Sequence, residues 1–391
     1  MDNFVFRNPT KIVFGRGAES KVGEEARAVA SKVLLHFGGG SIKRSGLHDK
    51  VVASLKAAGV AYVELGGVEP NPRLGLVKEG IALCRKEKVG LVLAVGGGSV
   101  IDSAKAIALG VPYSGDVWDF YSGKAEPTEA LPVGTILTIP AAGSEASTGS
   151  VITKEEGLYK RACNSELIYP HFSILDPELA FTLPPDQIAN GAADIMAHLL
   201  ERYFTNSRPV EFTDRLIEAT LRTVIDAAPR VLAKRDDYDA WAELMWAGTI
   251  AHNNLLNTGR VGDWATHDLE HEVSAVYGVA HGAGLAALFP SWMRFTLKQD
   301  VARFAQIANR VWGLEIVPRD IERAALRGIA ALEGFWGSIG LSVRLSGLGV
   351  KEDRIREMAD KLTENGKRQV GNFVKIGRDE AIKIYTMALR D

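Results

Sequence analysis

The stretch VLAVGGGSVIDSAKAIA, residues 92–108, decides the fold of this chain. Residues 92–95 form a short apolar run that predicts a buried strand, residues 96–99 are a glycine turn, and residues from 100 onward show helical periodicity. In this order the backbone N–H groups of the turn lie at the positive end of a helix, which favours phosphate binding. A tight strand-to-helix connection without a ligand is the alternative for this turn taken alone.

The segments on either side extend the same pattern. Short apolar runs predict strands at residues 11–14, 32–37, 61–65, 91–95 and 136–139. Helical patterns separate them at residues 50–58 and 74–87, so we expect a parallel sheet covered on both faces. After LPPDQ, helices are predicted at residues 189–203, 210–234, 238–253, 301–312, 321–339, 351–365 and 378–389. We therefore predict an α/β dinucleotide-binding domain at residues 1–184 and an all-helical domain at residues 185–391.

Two further glycine clusters differ in what they indicate. Residues 38–41, GGGS, follow a predicted strand and either line the same cofactor groove or form a flexible loop. GRGAES at residues 15–20 approaches the dinucleotide fingerprint, but Ser20 stands where the third glycine belongs, so we do not count it as a binding motif. Asp102 and Lys105 lie on the first turns of the predicted helix, where Asp102 either caps the helix or bonds a cofactor amide.

Two pairs of residues at helical spacing predict a metal site in the C-terminal half. Asp194 and His198 are four residues apart, as are His267 and His271, and His281 follows closely. A spacing of four places both side chains of a pair on one helical face, where they can point at one ion. One carboxylate with two or three imidazoles suits Fe(II) or Zn(II) better than magnesium or calcium. A single histidine on a helix is more often a packed or surface residue, but three of the eight histidines fall within residues 267–281.

Composition excludes several classes of protein. The formal net charge of −2, without long basic runs, argues against a nucleic-acid partner, and no apolar stretch is long enough to cross a membrane. Cys84 and Cys163 are too few for a disulfide framework or a thiolate zinc site, and the N-terminus lacks a secretion signal. We therefore expect a cytoplasmic protein that acts on a small molecule.

Four motifs in sequence order resemble the iron-containing, or group III, alcohol dehydrogenases. They are EPNP at residues 69–72, GGGSVID with Lys105, TIPAAGSEAS at residues 138–147, and the set Asp194, His198, His267 and His281. The resemblance covers essentially the whole chain and is nearest to the butanol dehydrogenase and broad-range NADPH-dependent aldehyde reductase branch. It implies a Rossmann-like α/β domain and an all-α domain, as in dehydroquinate synthase-like folds, with the active site in the cleft between them and a homodimer as the assembly.

The resemblance also implies roles for individual residues. Asp194, His198, His267 and His281 would ligate the metal, with Fe(II) expected and Zn(II) or Mn(II) as alternatives. His271 would lie near the nicotinamide without coordinating, either as a proton relay or as a partner of the cofactor ribose. The cofactor would contact both glycine clusters and the groove beside them, at Gly38, Gly39, Gly40, Ser41, Asn71, Gly97, Gly98, Ser99, Asp102, Thr138, Ser144, Lys160, Leu179 and Leu183.

The implied reaction is hydride transfer between NAD(P)H and small aliphatic aldehydes or primary alcohols, with the metal polarising the substrate oxygen. No arginine cluster suited to an acidic substrate is evident, which favours apolar substrates. Trp264, Phe335 and Trp336 are either pocket walls or core residues. The alternative enzymes are a zinc-dependent polyol dehydrogenase of the glycerol type and, less favoured, a dehydroquinate-synthase-like lyase. A non-catalytic metal-binding scaffold would have no use for a phosphate turn.

The loop after residues 32–37 indicates which cofactor is preferred. NAD-specific sites commonly place an acidic side chain on the adenosine ribose, where it would repel the 2′-phosphate of NADP. Here no Asp or Glu occurs between Gly38 and Asp49, and Lys43 follows two residues after Ser41. The glycine N–H groups, the Ser41 hydroxyl and the Lys43 ammonium could bond that phosphate, so we predict NADP(H), with NAD(H) as the alternative.

Overall fold

A parallel sheet of six strands organises the α/β part of the chain. The structure, a computed structural model, describes residues 1–390. The strands of the main sheet are β1 (Lys11–Phe14), β2 (Lys32–Gly38), β3 (Ala61–Val68), β4 (Leu91–Gly96), β5 (Val133–Leu137) and β8 (Phe172–Leu175). They lie in the order β1, β8, β5, β4, β2, β3, and every neighbouring pair is parallel. A separate antiparallel hairpin is formed by β6 (Gly149–Lys154) and β7 (Tyr159–Asn164).

Helices cover both faces of this sheet. The helices of the α/β unit are α1 (Val22–Val29), α2 (Ser41–Arg44), α3 (Leu47–Ala57), α4 (Leu74–Glu87), α5 (Gly98–Gly110), α6 (Trp118–Tyr121) and α9 (Tyr238–His252). Alternate residues of the central strands, such as Leu35 and Leu93, join one apolar core with α1 and α3. Every residue of β4 is buried, which accounts for its continuous apolar sequence. Burying a side chain of this size contributes roughly 1.5–3 kcal/mol.

The strand order places a topological switch point between β2 and β4. From β2 the chain moves outward to β3, then returns to β4 on the other side of β2 and continues to β5 and β8. In open parallel sheets, ligands bind beyond the carboxyl ends of the strands at such a reversal. The two glycine clusters, residues 38–40 and 96–98, follow the two strands that flank it. The predicted α/β fold class is confirmed.

The helical unit is arranged around one apolar helix. Its helices are α7 (Pro185–Tyr203), α8 (Glu211–Ala233), α10 (Ala265–Tyr277), α11 (His281–Thr296), α12 (Val301–Trp312), α13 (Ile321–Ser338), α14 (Ile355–Leu362) and α15 (Arg378–Arg390). α11 contacts α7, α10, α13 and α15. Its sequence, HGAGLAALFPSW, has small or apolar residues on nearly all sides, as expected of a helix that is buried on every face.

The two compact units do not follow a single division at residue 184. One unit comprises residues 7–183 together with 235–253, and the other comprises residues 1–6, 184–234 and 254–391. The helix α9, which the sequence assigns to the helical region, is part of the α/β unit because it contacts the 3₁₀ segments at Ser144–Ala146 and Pro177–Ala180. Periodicity identifies a helix but carries no information about which partner it packs against.

Some element boundaries differ from the sequence-based predictions. β5 covers Val133–Leu137 instead of residues 136–139. It starts earlier because Gly134 and Thr135, which belong to no apolar run, pair with both β4 and β8. Gly134 lies opposite Phe172, and a Cβ there would lie 2.3 Å from that ring. The hairpin of β6 and β7 was not predicted, because its mixed polar sequence lacks the apolar runs that mark the buried strands. Among residues 1–390, no helix combines the length and apolarity needed to cross a membrane.

Candidate functional site

One face of α7 supplies two of the predicted metal ligands. Asp194 and His198, one helical turn apart, are both 4% exposed. Nδ1 of His198 lies 3.3 Å from Oδ1 of Asp194. Small residues precede them at positions 191–193, so neighbouring helices can approach this part of α7 closely.

The helices α10 and α11 supply the other two: His267 lies in the first turn of α10, and His281 is the first residue of α11. α10 ends at Tyr277, and Gly278, with φ of 69°, caps it in the left-handed conformation that glycine adopts without strain. The chain then reverses into α11, whose first residue is His281. Nε2 of His281 lies 3.9 Å from Oδ1 of Asp194, and Nε2 of His267 lies 4.0 Å from the same oxygen.

These separations fit a small divalent cation. Bonds of about 2.1 Å in tetrahedral geometry put ligand atoms roughly 3.4 Å apart. The donor atoms of Asp194, His267 and His281 all lie within 4.8 Å of one another. His198 is not part of this group of three among residues 1–390, but its ring is 4.7 Å from that of His267 between centroids. One carboxylate with imidazoles is the donor set that Fe(II), Zn(II) and Mn(II) accept.

A close helix contact brings His281 to Asp194. A Cβ built on Gly282 would lie 2.0 Å from the backbone oxygen of Asn190, a distance that no side chain could satisfy. Only glycine at position 282 therefore allows α11 to approach α7 this closely. The neighbouring His281 and the Asp194 side chain are brought into reach by that approach.

Two buried glutamates that the sequence analysis did not single out contact the predicted ligands. Oε1 of Glu201 accepts hydrogen bonds from the backbone N–H of His267 at 3.0 Å and lies 2.8 Å from Nδ1 of the same residue. Its Oε2 accepts the N–H of Trp264 at 2.6 Å. Burial raises the pKa of Glu201 to about 8, and these N–H groups oppose that shift. Oε2 of Glu270 is hydrogen-bonded to Nδ1 of His281.

A signal for both glutamates is present in the sequence. Glu201 follows His198 by three residues and Glu270 follows His267 by three, so each shares a helical face with a predicted ligand. Spacing within one helix does not reveal that each glutamate contacts a histidine of a different helix. That pairing depends on how the helices pack.

His271 lies close to the ligand cluster. It is 9% exposed, and its ring centroid is 5.7 Å from that of His281. Of the three aromatic residues considered as pocket walls, Trp264 has its ring 5.2 Å from His267 between centroids. Trp336 is fully buried, and Phe335 packs against Trp312. Trp264 is thus the one that contacts the ligand residues, whereas Trp336 belongs to the core.

The glycine turn after β4 is tightly packed. α5 begins at Gly98, two residues earlier than predicted. A Cβ on Gly97 would lie 2.9 Å from the Ile139 side chain, and one on Gly98 would lie 2.9 Å from Cβ of Ala142. The turn therefore needs glycine to pack against residues 139–142, and this packing exists in addition to any role in phosphate binding.

The carboxylate of Asp102 is hydrogen-bonded to other residues of the α/β unit. Its Oδ1 accepts the hydroxyl of Ser144 at 2.6 Å and its Oδ2 accepts the N–H of Val151 at 2.9 Å. Burial raises the pKa of Asp102, and these bonds together with the charge of Lys105 oppose that shift. Both Asp102 and Ser144 therefore join α5 to the following loop and to β6, instead of capping α5.

Lys105 holds the same loop from inside. Its fully buried ammonium donates to the carbonyls of Ser144 at 2.6 Å, Ser147 at 2.8 Å and Gly149 at 2.9 Å. Burial lowers the pKa of Lys105 to about 8, while the charge of Asp102 opposes that shift. Three carbonyl oxygens satisfy the three donors of an ammonium group, so the loop at residues 144–149 is fixed to α5.

The remaining predicted cofactor residues all lie in the α/β unit, most of them beyond the carboxyl ends of strands. Asn71, with φ of 57°, follows β3, and Thr138 follows β5 with its N–H on the carbonyl of Gly96. Leu179 lies in the 3₁₀ segment after β8, and Leu183 ends the same loop. The others are Gly38, Gly39, Gly40 and Ser41 at the end of β2, Ser99 in the first turn of α5, and Lys160 in β7.

Fold and site define a class: an α/β unit with a glycine turn at its switch point, and a helical unit in which one carboxylate and several imidazoles converge and could hold a metal ion. Comparison with protein families matches residues 9–177 to the iron-containing alcohol dehydrogenases and residues 188–389 to the C-terminal region of the Fe-containing alcohol dehydrogenase family. The chain belongs to the iron-containing alcohol dehydrogenase family. This confirms the family that the motifs indicated.

Individual relatives are similar over their whole length. The chain is 45% identical over 389 residues to a probable NADH-dependent butanol dehydrogenase of Bacillus subtilis, covering 100% of both proteins. It is 38% identical to the NADPH-dependent aldehyde reductase YqhD of Escherichia coli, covering 99% of this chain and 100% of that one. The crystal structure of an NADH-dependent butanol dehydrogenase A from Thermotoga maritima superposes with a TM-score of 0.96 at 42% identity, covering 100% and 99% of the two chains.

The first prediction separates the roles of two histidines on α10. We expect His267→Ala to lower metal affinity by more than the roughly 10–100-fold that is typical of outer-shell changes, because it removes a direct donor. His271→Ala should keep the metal and lose turnover or cofactor affinity. Metal content by elemental analysis measures this, with exposed His171→Ala as the matched control. Wild-type metal content in His267→Ala, or metal loss in His271→Ala, would contradict the assignment.

The second prediction separates two reasons for glycine at position 98: packing against Ala142, and close approach of the cofactor phosphate to the backbone. Gly98→Ala should lower both the melting temperature and cofactor affinity, since its Cβ would lie 2.9 Å from Cβ of Ala142. In the double variant Gly98→Ala/Ala142→Gly that clash is absent. We expect the melting temperature to recover while cofactor affinity stays about tenfold or more below wild type, the loss expected for one hydrogen bond to a charged group. Full recovery of cofactor affinity would show that the glycine serves packing alone.

Proposed function

We propose that this chain is a metal-dependent alcohol dehydrogenase and aldehyde reductase that acts on small aliphatic aldehydes and primary alcohols and prefers NADP(H). Its ligands would be Asp194, His198, His267 and His281, with Fe(II) as the metal and Zn(II) or Mn(II) as alternatives. The observation that carries the proposal is the convergence of the Asp194, His267 and His281 donor atoms within 4.8 Å. The family match supports the reaction class.

The chemistry divides between the bound groups and the chain. When bound, a divalent cation acts as a Lewis acid on the substrate oxygen, and the nicotinamide gives or accepts the hydride. The side chains of Asp194, His267 and His281 would hold the cation; Asp194 and His267 are buried, whereas the His281 side chain is 25% exposed. Reduction of one aldehyde consumes one NADPH and one proton, so a proton from solvent must reach the substrate oxygen, directly or through a residue near the ligands.

His271 is our candidate for that proton exchange. It lies one turn beyond His267 on α10, and the donor atoms of His271, Glu270 and His281 lie within 4.8 Å of one another. An imidazole can donate a proton from one ring nitrogen and accept one at the other, which is what a proton relay requires. A hydrogen bond to the cofactor ribose is the other role that its position allows.

The cofactor would bind at the switch point of the sheet. The glycine turn after β4 leads directly into α5, whose N-terminal N–H groups at residues 97–99 favour an anionic pyrophosphate. Lys105 and Asp102 fix the loop at residues 144–149 beside this turn. A rigid loop keeps the N–H groups of the turn in place before the cofactor arrives, which lowers the entropic cost of binding.

The loop after β2 supports the preference for NADP(H). A Cβ built on Gly39 meets no atom within 4 Å, so this position is open toward a ligand. Lys43 follows in the first turn of α2 and has its ammonium 3.5 Å from the Glu64 carboxylate. Glu64, on the neighbouring strand β3, also lies 3.0 Å from His48. The Glu64 charge is therefore offset by Lys43, and residues 38–48 themselves include no carboxylate.

Two buried thiols bear on the location of the enzyme, and the family resemblance bears on its assembly. We place the enzyme in the cytoplasm because Cys84 and Cys163 are both buried free thiols, as is usual in a reducing compartment. A homodimer is the assembly that the family resemblance implies.

The third prediction tests the reaction itself. Protein purified without oxygen and loaded with Fe(II) should oxidise NADPH in the presence of butyraldehyde, followed at the nicotinamide absorbance. His267→Ala should show no turnover above background, and exposed His171→Ala should match wild type. Faster turnover with glycerol and NAD than with butanol and either cofactor would favour a polyol dehydrogenase. The absence of turnover with all of these substrates in a metal-loaded protein would refute the proposed function.

The fourth prediction tests the cofactor preference. We expect kcat/KM for NADPH to exceed that for NADH on the same aldehyde by about tenfold or more, the equivalent of one hydrogen bond to a charged group. Gly39→Asp should lower kcat/KM with NADPH strongly and with NADH little, because a carboxylate there would repel the 2′-phosphate. Gly39→Asn has nearly the same shape without the charge and serves as the control. A wild-type preference for NADH, or equal effects of Asp and Asn, would refute the idea.

A further inference from the structure

Two buried carboxylates lie behind the imidazoles of the predicted ligands. Nδ1 of His267 lies 2.8 Å from Oε1 of Glu201, and Nδ1 of His281 is hydrogen-bonded to Oε2 of Glu270. Both glutamates are 0% exposed. In each histidine the opposite nitrogen, Nε2, faces Oδ1 of Asp194, at 4.0 Å and 3.9 Å. The same arrangement therefore occurs twice on different helices.

We propose that Glu201 and Glu270 are positioning residues for the metal site. Each carboxylate accepts the Nδ1 proton of its histidine, which leaves the Nε2 lone pair directed toward the cation and fixes the orientation of the ring. Each also makes its imidazole a stronger donor by placing negative charge behind it. This inference rests on the metal site of the proposed function and adds two residues to it.

The residues around Glu270 leave space for its carboxylate and hydrogen-bond to it. A Cβ on Gly284, one turn after His281 on α11, would lie 2.6 Å from Oε1 of Glu270, so the helix leaves room for this carboxylate. The hydroxyl of Ser274, one turn along α10, is hydrogen-bonded to the same oxygen and lies 2.9 Å from the carbonyl of Val279. Both carboxylate oxygens of Glu270 are therefore hydrogen-bonded, Oε1 to Ser274 and Oε2 to His281.

Glu201 has a structural role that must be separated from the proposed one. It accepts the N–H groups of Trp264 and His267 and so also caps α10. Replacement by glutamine would turn an amide NH₂ toward one of these donors and weaken the cap itself. Glu270 is the cleaner position: in Glu270→Gln, the amide oxygen can accept from His281, the amide nitrogen can donate to Ser274, and the Ser274 hydroxyl can donate to Val279. That variant removes the charge and retains the hydrogen bonds.

The experiment measures Co(II) affinity of the metal-free full-length protein, by the visible spectrum of bound Co(II) and by competition with a chromophoric chelator. We expect Glu270→Gln to weaken Co(II) binding about tenfold to hundredfold, with an unchanged melting temperature of the metal-free protein and an altered Co(II) spectrum. Glu201→Gln should weaken binding by a similar factor and also lower the metal-free melting temperature. A purely structural role would change the melting temperature alone.

Glu218→Gln is the matched control. Glu218 is a buried carboxylate of the same helical unit, 3% exposed, and it bonds Tyr203 and Arg310 at 2.9 Å and 3.2 Å. The Glu218→Gln protein should bind Co(II) with the same affinity as the wild-type protein. A Glu270→Gln protein with the affinity and spectrum of this control would overturn the proposal. The proposal would also be overturned if the wild-type protein bound two Co(II) ions per chain and Glu270→Gln lost one of them. Glu270, His271 and His281 would then hold a second ion.

Two further outcomes are informative. If Glu270→Gln does not fold, Glu270→Asp replaces it: its side chain is one methylene shorter, which withdraws the carboxylate from Nδ1 of His281, and wild-type Co(II) affinity in that folded protein would overturn the proposal. If the wild-type protein itself binds no Co(II), the metal site of the proposed function fails. Failure of the inference requires a wild-type protein that binds Co(II) and glutamate variants that bind it equally well.

Discussion

The candidate metal site depends on one buried carboxylate, that of Glu201. It joins α7 to α10 by accepting the N–H groups of Trp264 and His267 and contacting the His267 ring. Burial of a carboxylate is costly unless it is fully hydrogen-bonded, and the free N–H groups at the start of a helix are the donors that need such an acceptor. Trp264 has φ of 70°, in a region that bulky residues rarely adopt, and its N–H on Glu201 helps to hold it there. The position of His267 is thus fixed through the backbone as well as through its ring.

In each unit, one buried ionisable side chain holds a backbone segment in place. In the α/β unit, the ammonium of Lys105 is buried among three backbone carbonyls and holds the loop at residues 144–149. In the helical unit, Glu201 is buried among backbone N–H groups and holds the first turn of α10. Each of these side chains fixes a backbone segment that apolar packing alone would leave less well defined, because a buried polar group with several hydrogen-bond partners accepts few alternative arrangements. Residues proposed to contact the cofactor or the metal lie directly on these segments, so their geometry is set before a ligand binds.

Sequence reasoning succeeded where one element contains the whole signal. The spacing of Asp194 and His198 fixed their common face on α7, and the strand, turn and helix at residues 92–108 predicted both β4 and α5. It failed where the signal depends on packing between elements. Glu201 and Glu270 follow a histidine of their own helix by three residues, yet each contacts a histidine of another segment. For the same reason, the sequence could not show that α9 belongs to the α/β unit. Likewise, glycine is needed at position 98 because it packs against Ala142, which is more than forty residues away in the sequence.

The placement of the carboxylates bears on how strongly a bound cation can act on a substrate oxygen. A carboxylate in direct contact with a cation cancels much of its charge, whereas one held behind an imidazole is farther away and cancels less, because Coulomb energy falls with distance. Asp194 is the one acidic residue in the group formed with His267 and His281. Glu201 and Glu270 touch the Nδ1 side of the rings, opposite the nitrogens that face Asp194. They can therefore strengthen the imidazoles as donors and set their orientation while most of the Lewis acidity is kept, a balance that three direct carboxylates would not give.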